Sequence, residues 1–209
     1  NEITYTDVPL EDGVAKVTVP GLDAGDYDVD VTYSGDTNYN DGIGKGEFSV
    51  GKVVPDMDVN TQNITYGDNE TIKYNVTDGA TGTVNITVTG PDGVTRTFND
   101  VPIENGTVGV NVADLPAGNY SVNVTYNGDN NFNPSSSVAN FSVSKATPAV
   151  NVNTTDIDYN TTEQVKVNVT GVEGGDVPTG NVTVIVRNAS GEVVYNKTHP
   201  IENGVVTVP

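Results

Sequence analysis

Apolar and polar residues alternate with a period of two along most of this chain. Ile72, Tyr74 and Val76 alternate with Lys73, Asn75 and Thr77, and Val84, Ile86 and Val88 alternate with Asn85 and Thr87. Val108, Val110 and Val112 flank Gly109 and Asn111. Tyr120, Val122, Val124 and Tyr126 flank Ser121, Asn123 and Thr125, and Phe141 and Val143 flank Ser142. Strict alternation predicts strands with one buried and one wet face, the arrangement of antiparallel sheets packed as a sandwich. Adding an opening strand near 57–60 and a short one near 94–98 makes about seven strands within residues 53–145. Gly, Pro, Asn and Asp punctuate them.

The pattern is copied along the chain. Residues 8–50 realign on 101–143 at an offset of 93 without a gap, and the linkers GKVVP (51–55) and SKATP (144–148) also correspond. IKYNVT at 72–77 meets VKVNVT at 165–170. After five extra residues near 174–178 the offset becomes 98, and TGTVNITV at 81–88 meets TGNVTVIV at 179–186. A fixed period of this length is the mark of a repeat array. Residues 53–145 read as a complete repeat, 1–52 as the C-terminal half of a preceding one and 146–209 as the N-terminal part of a following one.

Composition sharpens the fold and removes chemistry. The 209 residues include 37 Val against 3 Leu, with 27 Thr and 26 Asn, a tilt toward strand because β-branched side chains suit a pleated surface. There is no Cys, so disulfides, thiol nucleophiles and thiolate zinc sites are excluded. His199 is the one histidine. The net charge of −19 repels nucleic acid and anionic lipid. No apolar run approaches the roughly 20 residues of a membrane span, and no signal peptide is present; export would place such parts outside this stretch.

One motif goes further. Leu115-Pro-Ala-Gly-Asn-Tyr120 precedes a strand, and Leu22-Asp-Ala-Gly-Asp-Tyr27 repeats it. Leu, Gly and Tyr in this order match the tyrosine corner of Ig-like sandwiches, in which the phenol reaches back to upstream backbone. The run 117–143 resembles the C-terminal half of bacterial Ig-like repeats (AG-x-Y, alternation, T-Y-x-G-D, then a closing F-x-V strand). TG-x-V near 81 and 179, followed by an E-N-G turn, resembles the front half. Richness in Asn, Thr and Val is most similar to the adhesin-like surface proteins of methanogenic archaea. The resemblance implies an all-β array of Ig-like sandwiches, an extracellular or cell-surface location, a stalk or adhesive role, and no catalytic residues.

Asn-x-Ser/Thr sequons occur at Asn63, Asn69, Asn75, Asn85, Asn105, Asn119, Asn123, Asn140, Asn153, Asn160, Asn168, Asn181, Asn188 and Asn196. The frequency of Ser and Thr predicts about four or five. Asn75, Asn85, Asn123, Asn168 and Asn181 alternate with apolar residues and are expected to face solvent as glycosylation candidates. Outward strand positions also favour Asn and Thr, which alone raises the number. Residues 1–52 carry no sequon, and acids stand at matched places: Asp12 for Asn105, Asp26 for Asn119 and Asp30 for Asn123. Both devices hydrate the wet face and oppose edge-to-edge association.

Other constellations read as surface. Asp26, Asp28 and Asp30 share a strand face, and Asp56/Asp58 and Asp156/Asp158 lie near linkers. Calcium at an inter-domain junction is the one cofactor they suggest; it needs six to eight oxygens, and no spaced loop supplies them. Lys73 and Lys166 recur on one strand, a reminder of Lys–Asn isopeptide bonds, but their neighbours take the inward places. His199 is expected at a turn edge. Gly35-Asp36 and Gly128-Asp129 are expected to make tight turns, with Tyr39 and Phe132 capping the core or presenting a contact.

The expected function is mechanical: a stalk or fibre of tandem repeats, semi-rigid because each linker is short and ends in Pro. Its partners would be neighbouring repeats. The alternatives are a filament subunit joined to identical chains by strand exchange, and an adhesion module whose loops bind a surface glycan or host protein.

Overall fold

In the computed structural model, which describes residues 2–91, 93–103 and 107–208, the ordered elements are strands. Residues 57–144 form a complete two-sheet sandwich. One sheet has the order β3-β5-β8, from Met57–Asn60, Glu70–Val76 and Thr107–Val112. The other has the order β4-β10-β9-β6-β7, from Ile64–Thr65, Ser135–Ser144, Gly118–Tyr126, Thr83–Thr89 and Thr95–Pro102. Ile72, Tyr74 and Val76 meet Val84, Ile86, Val88, Val122, Val124 and Tyr126 in one core, and the intervening Thr71, Lys73 and Asn75 are exposed. The period-two pattern thus became two inner faces, as an Ig-like sandwich requires.

The opening strand differs from the expectation of a single element near 57–60. It switches sheets: β3 pairs antiparallel with β5, and after Thr61–Asn63 the chain pairs again as β4, parallel to β10. Polar side chains pin the crossing. Thr61 Oγ1 donates to Asn140 O (2.9 Å), Asn63 Oδ1 accepts from Ser142 N (2.8 Å), and Gln62 N donates to Glu70 Oε1 (2.8 Å). A two-residue strand is too short to leave a periodic trace in sequence.

Each flanking segment has part of the same plan. Upstream, β1 (Gly25–Tyr33) and β2 (Gly42–Val50) pair as a hairpin. Downstream, β11 (Ala149–Asn153), β12 (Val165–Thr170) and β15 (Val205–Val208) make one sheet, and β13 (Asn181–Arg187) and β14 (Val193–Pro200) another. His199 lies within β14, not at a turn edge, because that strand runs through to Pro200. Its Nε2 is 2.8 Å from Tyr195 Oη.

Tyr74 is buried, and its hydroxyl has no hydrogen-bond partner among the described residues. Burial pushes this phenol up to about 12. A buried polar group without a partner costs about 1–3 kcal/mol. Tyr74→Phe is therefore expected to raise stability by about 1 kcal/mol, read as a higher thermal midpoint by circular dichroism.

Candidate functional site

A connected polar region lies where residues 23–53 meet the central sandwich. Its foundation is the turn Gly128–Asn133. Gly128 has φ +82°, and an added Cβ would sit 3.1 Å from Phe132 O and Pro134 N, so the tight turn requires glycine. Asp129 Oδ1 accepts from Asn131 N and Phe132 N, both at 2.8 Å. Its Oδ2 accepts from Thr81 N (2.8 Å) and Thr81 Oγ1 (2.9 Å), tying the turn to the start of β6. Partial burial pushes this carboxyl up, but the bonds from Thr81, Asn131 and Phe132 outweigh it and hold the group well below the usual carboxylate range. Beside it Tyr126 Oη donates to Thr81 O (2.8 Å), and burial together with the Asp129 carboxylate pushes that phenol up to about 12.

The upstream segment grips this turn. Val53 forms a parallel bridge with Phe132, with Val53 N donating to Asn131 O (3.1 Å) and Asn133 N to Val53 O (2.8 Å). Lys52 Nζ donates to Asp129 O (2.6 Å), and Asn133 Nδ2 to Lys52 O (3.3 Å). Asn131 reaches the other way: its Oδ1 accepts from Ala24 N (2.8 Å), and its Nδ2 donates to Asp23 Oδ1 (2.9 Å). The linker GKVVP is thus a strand-like contact surface as well as a Pro-restrained connection.

Asp23 and Ala24 belong to the Leu-x-Ala-Gly loop, whose shape is set by a tyrosine. Tyr27 Oη donates to Asp23 O (2.8 Å), with its ring stacked on Phe48; Leu22 is half-buried. In the central sandwich Tyr120 Oη donates to Pro116 O (2.7 Å), its ring is stacked on Phe141 at 4.9 Å, and Leu115 is buried. At the downstream junction Tyr66 Oη accepts from Asp176 N (2.8 Å), within the segment where the two offsets part by five residues. Tyr66 and Asn131 carry no sequence signal as contact residues, because partners 107 or 110 positions away cannot be read from local pattern.

The remaining candidates lie apart. Among the described residues no three of His, Asp and Glu come together as a metal site. Asp30 pairs with Lys45 (2.9 Å) and Asp26 accepts from Ser49 (2.6 Å), both exposed. Lys73 and Lys166 are exposed. Phe132 packs against the central core, whereas Tyr39, at the matching place, is 70% exposed.

The sequon asparagines scatter over the surface. Asn69, Asn75, Asn119, Asn123, Asn140, Asn153, Asn160, Asn181, Asn188 and Asn196 are exposed, as is Asn63. Asn105 lies outside the described residues. Asn85 and Asn168 depart from the expectation of a solvent-facing side chain and are half-buried. Asn85 is held because β7 carries one extra residue opposite it: Asp100 N donates to its Oδ1 (2.9 Å), and its Nδ2 donates to Asn127 Oδ1 (3.2 Å). Downstream, Thr183 stands in that place, bonds Thr198 (2.8 Å), and the register is regular there. Asn168 is central in its sheet, between Asn151 and Val205. Asn63, Asn119 and Asn140 line one shallow hollow of about 520 Å³ beside Tyr120 and Phe141.

Residues 57–144 match the family model described as bacterial Ig-like domain (group 3). This Ig-like match coincides with the complete sandwich. No curated protein matches the chain significantly. Among solved structures the chain is similar to a tetra-tandem repeat in the extending region of a large adhesion protein, with 22% identity over 93% of this chain and 50% of that one, at a TM-score of 0.48. It is also similar to the BSP domain of a biofilm associated protein (24% identity, 76% of this chain, 24% of that, TM-score 0.28) and to the FN1–FN3 domains of chicken CNTN1 (12%, 88%, 64%, 0.30). The chain spans about half the length of the tetra-tandem structure. Among the described residues no helix is long and apolar enough to cross a membrane.

Proposed function

We propose that this chain is a segment of an extracellular, adhesin-type stalk, divided into repeats at 1–52, 53–145 and 146–209, whose task is to hold a distal part at a distance. The observation that carries the reading is the gripped junction. Val53, Lys52, Asn131 and the Asp23–Ala24 loop join adjoining repeats through backbone and side-chain bonds. A connection of that kind resists bending where a Gly/Ser linker would swing freely. The absence of Cys lets spin labels be placed at will. With cysteines at the exposed Glu47 and Asn123, and labelled chain diluted in unlabelled, double electron–electron resonance is expected to give one narrow distance distribution. Lys52→Ala combined with Asn131→Ala is expected to broaden it. A broad distribution in the parent chain rules out the semi-rigid rod.

The outward sequons support a glycosylated surface. Glycopeptide mass spectrometry of native material is expected to find glycans on exposed positions such as Asn123 and Asn140. Asn85, held through both side-chain atoms, is expected bare. Material bare at every site ends the glycan reading.

A further inference from the structure

Residues 171–178, between β12 and β13, stand where the central sandwich has only residues 78–80. The three-residue turn closes on its own domain: Ala80 N donates to Thr77 O (3.1 Å), and Ala80 is buried in the central core. The longer loop reaches outward. Gly175 N donates to Val172 O (3.1 Å), and Gly174 (φ +73°) takes the left-handed conformation at the third place of that turn. At the base, Val177 Cγ1 lies 3.3 Å from where a Cβ on Gly204 would stand, which seats the loop on the turn before β15.

The tip of the loop lands on Tyr66 and Gly67, just after β4. Asp176 N donates to Tyr66 Oη (2.8 Å). Val172 fills the space between Gly67 and Gly175: a Cβ on either glycine would stand 2.8 Å from Val172 Cγ2, and one on Gly175 would also stand 3.0 Å from Tyr66 Cε1. The backbone of Gly175 is not left-handed, so close approach alone requires glycine there. The corner that receives the tip is held from its own side. The Tyr66 ring packs against the central core, Tyr66 N donates to Ser144 O (2.8 Å), and Asp68 N donates to Thr65 O (2.9 Å).

We propose that residues 171–178 are a finger by which one repeat docks on the repeat before it, with the Tyr66–Gly67 corner as its receptor. The partner this corner fits is a neighbouring repeat whose loop is long at this place, sets an aliphatic side chain between two glycines and aims a backbone N–H at the phenol. A three-residue turn bonded to its own core has nothing to extend. Joints are therefore of two kinds: those held by linker and Asp-turn bonds, as between residues 52–53 and 129–133, and those that add a finger. Lengthening a surface loop costs little chain entropy, so the device can be added to one repeat of an array without altering its sandwich. Loop length and Gly175 select which neighbour gains the contact.

The proposal rests on the repeat division and not on the stalk reading, whose spin-label pair spans the other joint, so the two fail separately. Cysteines at the exposed Asn123 and Asn196, spin-labelled and diluted in unlabelled chain, are expected to give one narrow distance distribution across this joint. Gly175→Val, and replacement of 171–178 by the Asp-Gly-Ala of 78–80, are each expected to broaden it, whereas Glu173→Ala, at an exposed place in the same turn, leaves it narrow. A label pair at Asn153 and Asn196, both downstream of the joint, is expected to be unchanged, which separates loss of docking from loss of folding. Tyr66→Phe decides the matter where a loop variant disturbs the downstream sheets, because it keeps the ring on the core and removes only the acceptor. Hydrogen exchange of the Asp176 amide is then expected to quicken about tenfold, with the melting of the central sandwich unchanged. A broad parent distribution overturns the proposal, as does one left narrow by both Gly175→Val and the loop replacement. An Asp176 amide that exchanges as fast in the parent as in Tyr66→Phe overturns it too.

Discussion

Asp129→Ala is expected to lower the stability of the central sandwich by about 3 kcal/mol, from bonds to a charged group discounted for partial exposure. For a domain of this size that is a fall of roughly 12–24 °C in thermal midpoint. Four donors on Thr81, Asn131 and Phe132 converge on this carboxylate, and the turn it shapes also receives Val53 and Lys52. Asp36 is the internal control. It occupies the same sequence motif and accepts from Asn38 and Tyr39, yet the structure gives it no counterpart to Thr81. Asp36→Ala is expected to leave the melting of the central sandwich unchanged.

The pH dependence has a definite sign. The folded-state value of Asp129 lies below the unfolded value of about 3.9, so its contribution is complete above that value and is lost as pH falls toward the depressed one. Urea midpoints are expected to be flat in this respect between pH 5 and 7 and to drop below about pH 4. Asp129→Asn, lower at neutral pH, is expected to converge on the parent as pH falls. Parallel curves for the two proteins refute the assignment.

The second large effect is expected at Glu70. It is 1% exposed, the one buried charged residue among those described, and its Oε1 accepts from Gln62 N where the opening strand crosses between sheets. Glu70→Ala removes that acceptor, leaves Gln62 N–H without a partner and opens space beside Ile72, a loss of about 3 kcal/mol. Glu70→Gln keeps an acceptor oxygen and is expected to recover most of it. Chemical denaturation of the three proteins checks the order. Downstream, Glu163 repeats the device: Oε1 accepts from Thr155 N (2.7 Å) and Oε2 from Thr155 Oγ1 (2.8 Å).

A signal for Glu70 was present in the chain. The alternation Ile72, Tyr74, Val76 extended two residues back lands on Glu70 as an inward position, and Glu163 stands 93 residues on in the same relation to Val165. A carboxylate at an inward place interrupts a pattern read from apolar residues, so the apolar alternation begins two residues later than the strand does. Asn85 misleads in the opposite sense. It alternates correctly, but the extra residue in β7 brings Asp100 N over it, and a bulge on a neighbouring strand leaves no mark on the strand it affects.

The amino-acid sequence by itself determined the all-β class, the inner faces and the repeat period, because side chains on a strand alternate sides whatever the strand pairs with. It also specified the Gly-Asp turns, since φ > 0 and an Asp accepting from the backbone two and three residues on are local requirements. Tertiary structure decided the rest. Splitting the opening strand into β3 and β4 depends on which edges β5 and β10 leave free. The seat of Lys52 and Val53 on the Asp129 turn joins residues about 80 apart. Those outcomes depend on distance in space, which a period along the chain does not encode.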